Sequence, residues 1–118
     1  MLNDKILMHF HNPQNAGDLP AASHVSEVAN PVCGDIMRLA IRLDSGKIAE
    51  ARFKTQGCVA SIAAGSVLTC LLLGKTPSDA RAITPQEISA LLDGLPPASF
   101  HAAQLCVDAI SAVLGEED

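Results

Sequence analysis

The sequence predicts an α+β domain, with short strands gathered ahead of a run of helices. Three observations carry this. Residues 36–55 alternate apolar and polar side chains on both sides of a glycine turn. After Cys58 the pattern becomes a small, apolar stretch with no polar face. Beyond Gly74, Thr and Ser caps alternate with Gly and Pro stops, which punctuates several short helices.

Residues 3–11 read as a helix with Ile6, Leu7 and Phe10 on one face and Asn3 or Asp4 as cap. Pro13 ends it, because the residue before a proline is pushed out of the helical region. Residues 14–23 form a loop, and 24–29 an edge strand. In residues 36–43, Leu39, Ile41 and Leu43 face one way and Arg38, Ala40 and Arg42 the other. Asp44, Ser45 and Gly46 supply hairpin turn chemistry. The return strand, 48–55, sets Ala49, Ala51 and Phe53 against Glu50, Arg52 and Lys54, so one face of the sheet is buried and the other wet.

Residues 58–73 then make a buried central helix ending at Gly74. Thr76 with Pro77 opens a short helix, and Thr84 with Glu87 forms the capping box of another that Gly94 ends. Leu95, Pro96 and Pro97 are a rigid extended link. Ser99 caps a last helix whose core face is Ala102, Leu105, Ala109, Ile110 and Val113. Residues 116–118 are a frayed acidic tail. No repeat or linker divides residues 1–118, which read as a single domain.

Composition narrows the function. Three Phe with no Trp or Tyr leave little for base stacking, and a net charge of −5 opposes a nucleic-acid or anionic-membrane surface. No apolar run approaches the ~20 residues of a membrane span, and the N-terminus lacks a secretory core. A cytoplasmic protein is expected. Its four cysteines are then thiols or ligands rather than disulfides.

The hairpin brings its two ends, Asn30-Pro31-Val32-Cys33-Gly34-Asp35 and Thr55-Gln56-Gly57-Cys58, back to one rim. Cys33, Asp35 and Cys58 then meet there, and two thiolates with a carboxylate suit a metal ion or an iron–sulfur cluster. Cys58 sits where a helix begins, and the positive end of that helix favours the thiolate. Gly34 lets the backbone come close to the site, or simply makes a turn. Asp35 otherwise reads as a strand-start residue bonding local amides, and Cys33 as a small core residue. Cys70 lies twelve residues beyond Cys58 on the same helix, about 18 Å along it, and cannot share the site. His9, His11 and His24 read as surface or loop residues.

The chain resembles the NifU/IscU-like scaffold family, on which [2Fe–2S] clusters are built before transfer. The matching stretches are His9-Phe10-His11-Asn12-Pro13, Asn30 to Asp35 as quoted, Ala51-Arg52-Phe53-Lys54-Thr55, Gly57-Cys58, Gly74-Lys75 and Leu95-Pro96-Pro97. The resemblance implies a small antiparallel three-stranded sheet packed by helices, with the metal site at one end. It makes Cys33 and Cys58 the first two cluster cysteines and Asp35 the acidic ligand. His101 matches the histidine that precedes the third cysteine, but here Ala102 follows it. Cys106 stands one helical turn further on, four residues from Ala102 and displaced by about 6 Å at ~1.5 Å per residue. Its thiol leans back toward that turn, yet closing the gap requires the helix to slide, so Cys106 reads as packing or as a substitute ligand.

Three functions follow. The first is a non-catalytic scaffold that takes sulfur from a cysteine desulfurase, assembles a [2Fe–2S] cluster from iron across Cys33, Asp35, Cys58 and His101, and passes it to recipient apo-proteins. The second is a degenerate relative holding mononuclear Zn²⁺, since S₂NO ligation satisfies tetrahedral zinc. The third is a sulfur-acceptor thiol protein using Cys58, for which the sequence places no base nearby. In the family, the Leu-Pro-Pro segment continues with Val-Lys and is gripped by an Hsp70-type chaperone. Here Ala98 and Ser99 follow, which argues against chaperone dependence.

Overall fold

Between Asp44 and Lys47 the chain reverses on Ser45 and Gly46, both at positive φ (55° and 79°). That is a type I′ turn, whose twist matches the strands it joins. A computed structural model of the chain describes residues 2–31 and 34–115, so Val32, Cys33 and the tail expected at 116–118 lie outside the described residues.

The elements are α1 (Asp4–His11), β1 (His24–Ala29), β2 (Ile36–Asp44), β3 (Lys47–Gln56), α2 (Val59–Leu72), α3 (Pro77–Arg81), α4 (Pro85–Leu91) and α5 (His101–Leu114), with a 3₁₀ turn at Pro97–Ser99 before α5. The strands form one antiparallel sheet in the order β1-β2-β3. It is the small three-stranded, helix-packed sheet expected. Met37, Leu39 and Ile41 of β2 and Ala51 and Phe53 of β3 are buried on one face. There α2 lies against β3, and α5 against β1 and β2.

The caps follow the sequence. Asn3 Oδ1 accepts from the Ile6 amide, Thr76 Oγ1 from Asp79 and Thr84 Oγ1 from Glu87. Gly65 lets α2 press onto β3: a Cβ there would stand 2.5 Å from the Phe53 ring. The fully buried Ser66 and Thr69 of α2 are satisfied by the loop after α1. Ser66 Oγ accepts from the Gln14 amide at 2.8 Å, and Thr69 Oγ1 lies 3.1 Å from the Gln14 carbonyl. Among the described residues no helix is long and apolar enough to cross a membrane.

Five expectations are corrected. Ala49 is exposed and Ile48 buried, because the register slips between Arg42 and Leu43 and Ala49 is the extra residue of a β-bulge. Ile48 is held inward by backbone bonds with Gly74 and Lys75. Ala40 is buried although it sits on the outer face, where it shares a concavity with Pro20, Ala22 and Val25. Ser99 does not cap α5: Pro97 begins the 3₁₀ turn instead of continuing an extended link, and it runs into α5 through Phe100 in helical geometry. His9 is no loose surface residue, since its Nδ1 lies 2.7 Å from Ser66 Oγ.

Candidate metal centre

Asp35 is placed by a tight loop. The Gly34 amide donates to the Asn30 carbonyl and the Asn30 amide to the Asp35 carbonyl, both at 2.8 Å. Gly34 makes this closure at φ 74°, and among the described residues a Cβ on it would meet nothing within 4 Å. It serves the turn. The close approach occurs at Gly57, where a Cβ would lie 2.6 Å from Asp35 Cγ.

Ile36 pairs with Gln56, so the start of β2 and the end of β3 share one rim. Gly57 follows, and Cys58 is the N-cap of α2, making no side-chain capping bond. His101, the first residue of α5, reaches the same rim from the far end of the chain. Asp35 Oδ2 lies 3.2 Å from His101 Nε2 and 3.5 Å from Cys58 Sγ, and Cys58 Sγ lies 3.8 Å from His101 Nε2. Among the described residues, Asp35, Cys58 and His101 thus offer three donor atoms within 4.8 Å of one another. Oxygen, sulfur and imidazole nitrogen form a donor set that zinc or iron accepts.

A fourth side chain joins them. Ser61 Oγ donates to Asp35 Oδ2 at 2.5 Å and stands 3.3 Å from Cys58 Sγ. Burial alone would raise the Asp35 pKa, but hydrogen bonds from Ser61, His101, the Cys58 thiol and the Cys58 backbone amide outweigh it and hold the carboxyl below its ordinary value. Asp35 is only 6% exposed, yet its charge is well supported.

Of the residues expected at the site, Asp35, Cys58 and His101 come together. Cys33 lies outside the described residues, between Pro31 and Gly34. Cys106 is fully buried, in the core with Leu105 and Ala109, and burial pushes its thiol pKa far up. Ala102, also fully buried, faces that same core. Spacing alone puts no imidazole beside Cys58, whereas the fold sets His101 Nε2 3.8 Å from its Sγ. Sequence reasoning missed Ser61 and the steric part of Gly57. The available signal was a hydroxyl three residues after Cys58, hence on the same helix face.

A three-stranded sheet with helices on one face and a thiol, a carboxylate and an imidazole gathered at its end defines an α+β domain with a candidate metal site. Residues 1–116 match the family described as NifU-like N terminal domain, and the chain belongs to that family. It is 40% identical over 110 residues to the iron–sulfur cluster assembly scaffold protein IscU 1 of Archaeoglobus fulgidus, covering 93% of this chain and 72% of that protein. To the corresponding IscU of Haemophilus influenzae it is 39% identical over 118 residues, covering 97% and 93%. Among solved structures, a Fervidobacterium islandicum protein put forward as the cluster assembly scaffold of a SUF system superimposes with a TM-score of 0.81 at 22% identity, covering 95% of each chain. A NifU-like N-terminal domain from Brucella abortus gives 0.65 at 21% identity, over 92% of this chain and 76% of that one. These two likenesses bear on the fold alone.

Proposed function

We propose that this protein is a scaffold, formed by a single NifU-like domain, on which a [2Fe–2S] cluster is assembled and then handed to recipient apo-proteins. The observation that carries the proposal is the convergence of Asp35 Oδ2, Cys58 Sγ and His101 Nε2 on one rim, in a chain of this family. Cys33, whose place in the sequence is two residues before Asp35, is the fourth ligand in this reading. The cluster is cargo, and the protein's part is to supply donors of graded softness at a solvent-accessible edge. Sulfur arrives from a cysteine desulfurase as persulfide on a scaffold thiol. His101 beside the exposed Cys58 suits that thiol to acceptance. Each sulfane sulfur takes up two electrons to become sulfide, so an external reductant belongs to the assembly.

One observation favours a second reading, mononuclear zinc. Ala102 stands where the resemblance places a third cysteine, and Cys106 is sealed in the core. Asp35, Cys58 and His101 with Cys33 as the fourth donor satisfy tetrahedral Zn²⁺.

Anaerobic reconstitution with iron and sulfide, read by visible absorption and metal analysis, separates the two. A stoichiometric cluster supports the scaffold. Zinc retained through purification with no cluster accepted supports the second reading and overturns the first. The same assay on Cys106→Ala is expected to give the wild-type stoichiometry.

A further inference from the structure

The geometry points to Ser61 as a positioning residue for this centre: it holds the Asp35 carboxylate in place when Cys58 and His101 turn toward a metal. The inference rests on the reading of Asp35, Cys58 and His101 as ligands, and extends it to a residue outside that set.

Three side chains converge on one atom. Asp35 Oδ2 has Ser61 Oγ at 2.5 Å, His101 Nε2 at 3.2 Å and Cys58 Sγ at 3.5 Å. Ligation removes two of them, because a metal-bound thiolate has no proton to give and a metal-bound Nε2 has its lone pair engaged. Ser61 is the side-chain donor that remains. It is fully buried, and removing a buried donor leaves its acceptor without that partner.

Its placement is also economical to explain. A serine inside a helix commonly turns its hydroxyl onto a carbonyl of the preceding turn. Ser61 instead bonds a residue 26 positions away, across the gap between β2 and α2. Alanine is the better helix former, and its neighbours Ala60, Ala63 and Ala64 are all buried alanines. The hydroxyl therefore serves Asp35, not the helix. Gly57 also crowds the carboxylate, a Cβ there lying 2.6 Å from Asp35 Cγ, so Asp35 has both a hydrogen-bond donor and a close backbone beside it. Loss of an outer-shell partner that orients a ligand typically costs about 10–100-fold in metal affinity.

The test is a Co²⁺ titration of metal-free wild type and Ser61→Ala, reading both the dissociation constant and the visible spectrum at saturation. Far-UV circular dichroism confirms that each protein is folded, which alanine's helix propensity favours. The expected result is binding weakened by about 10–100-fold, with a saturated spectrum that departs from wild type as the carboxylate loses its orientation. An unchanged dissociation constant, or a weakened one with the wild-type spectrum intact, overturns the role of Ser61 and leaves the metal centre standing. Failure of the wild type to bind Co²⁺ at all overturns the metal centre, and this inference with it.

Discussion

Gly57 and Asp35 compete for the same space: a Cβ on residue 57 would lie 2.6 Å from Asp35 Cγ and 2.9 Å from both carboxylate oxygens. The backbone of the β3–α2 junction is thus the floor on which the carboxylate rests. Gly57→Ala is expected to push Asp35 off the rim, weakening Zn²⁺ binding by about 10–100-fold. The fold should persist with a stability loss of roughly 1–3 kcal/mol. Zinc titration beside a urea melt measures both, and wild-type zinc affinity would refute the contact's importance.

Asp35 has a second consequence. A carboxylate oxygen is a harder ligand than a thiolate and holds cluster iron less firmly than sulfur does. Asp35→Ala is accordingly expected to lengthen the residence of a reconstituted cluster, slowing its transfer to an apo-ferredoxin several-fold. Transfer at the wild-type rate would remove any role for Asp35 in release.

Gly65 and Phe53 provide a stability test away from the metal. A Cβ at 65 would stand 2.5 Å from the ring, which is itself only 2% exposed and has little room to withdraw. Gly65→Ala should cost about 1–3 kcal/mol through overpacking, despite alanine's better helix propensity. Adding Phe53→Leu should recover part of that loss, while zinc affinity stays at the wild-type level. Stabilisation by Gly65→Ala alone would show that α2 and β3 are less tightly apposed than described.

His9 sets a pH dependence. Its pKa lies below the ordinary 6.5, chiefly through burial and secondarily through the nearby Lys5 charge. Ser66 of α2 lies against it at 2.7 Å, and Cys70 of α2 and Leu91 at the end of α4 line the same concavity. A depressed folded pKa means that the unfolded chain takes up the proton first as pH falls. The stability from neutral His9 is therefore complete above the ordinary value and is lost as pH drops through it toward the lowered one. Thermal melts of wild type and His9→Gln from about pH 7.5 to 5.5 should show a steeper decline for wild type. Parallel declines would contradict the assignment.

The sequence carried most of the fold because its signals are local. Asp44, Ser45 and Gly46 specify a turn, and Thr76 and Thr84 announce the helices they cap. The bulge at Ala49 was not legible, since it depends on Ile48 bonding to Gly74 and Lys75, partners that only the tertiary arrangement supplies. For the same reason Ser99 misled: Pro97 and Phe100 build a 3₁₀ entry to α5 that needs no side-chain cap. At the site, Asp35 and Cys58 could be found from the geometry of a hairpin whose ends return to one rim. His101 could not, because nothing in spacing links it to them across 43 residues, and only family resemblance suggested it. Ser61 looked like one more small residue in an apolar helix. Its meaning lies in a hydrogen bond to a different element.

The most direct measurement is zinc K-edge X-ray absorption on zinc-loaded wild type and on His101→Ala, with zinc as a probe of the rim. The predicted wild-type shell mixes sulfur at about 2.3 Å with nitrogen or oxygen at about 2.0–2.1 Å, and carries imidazole scattering that His101→Ala removes. A shell of oxygen alone, or an imidazole signal that survives His101→Ala, would contradict a centre shared by Asp35, Cys58 and His101.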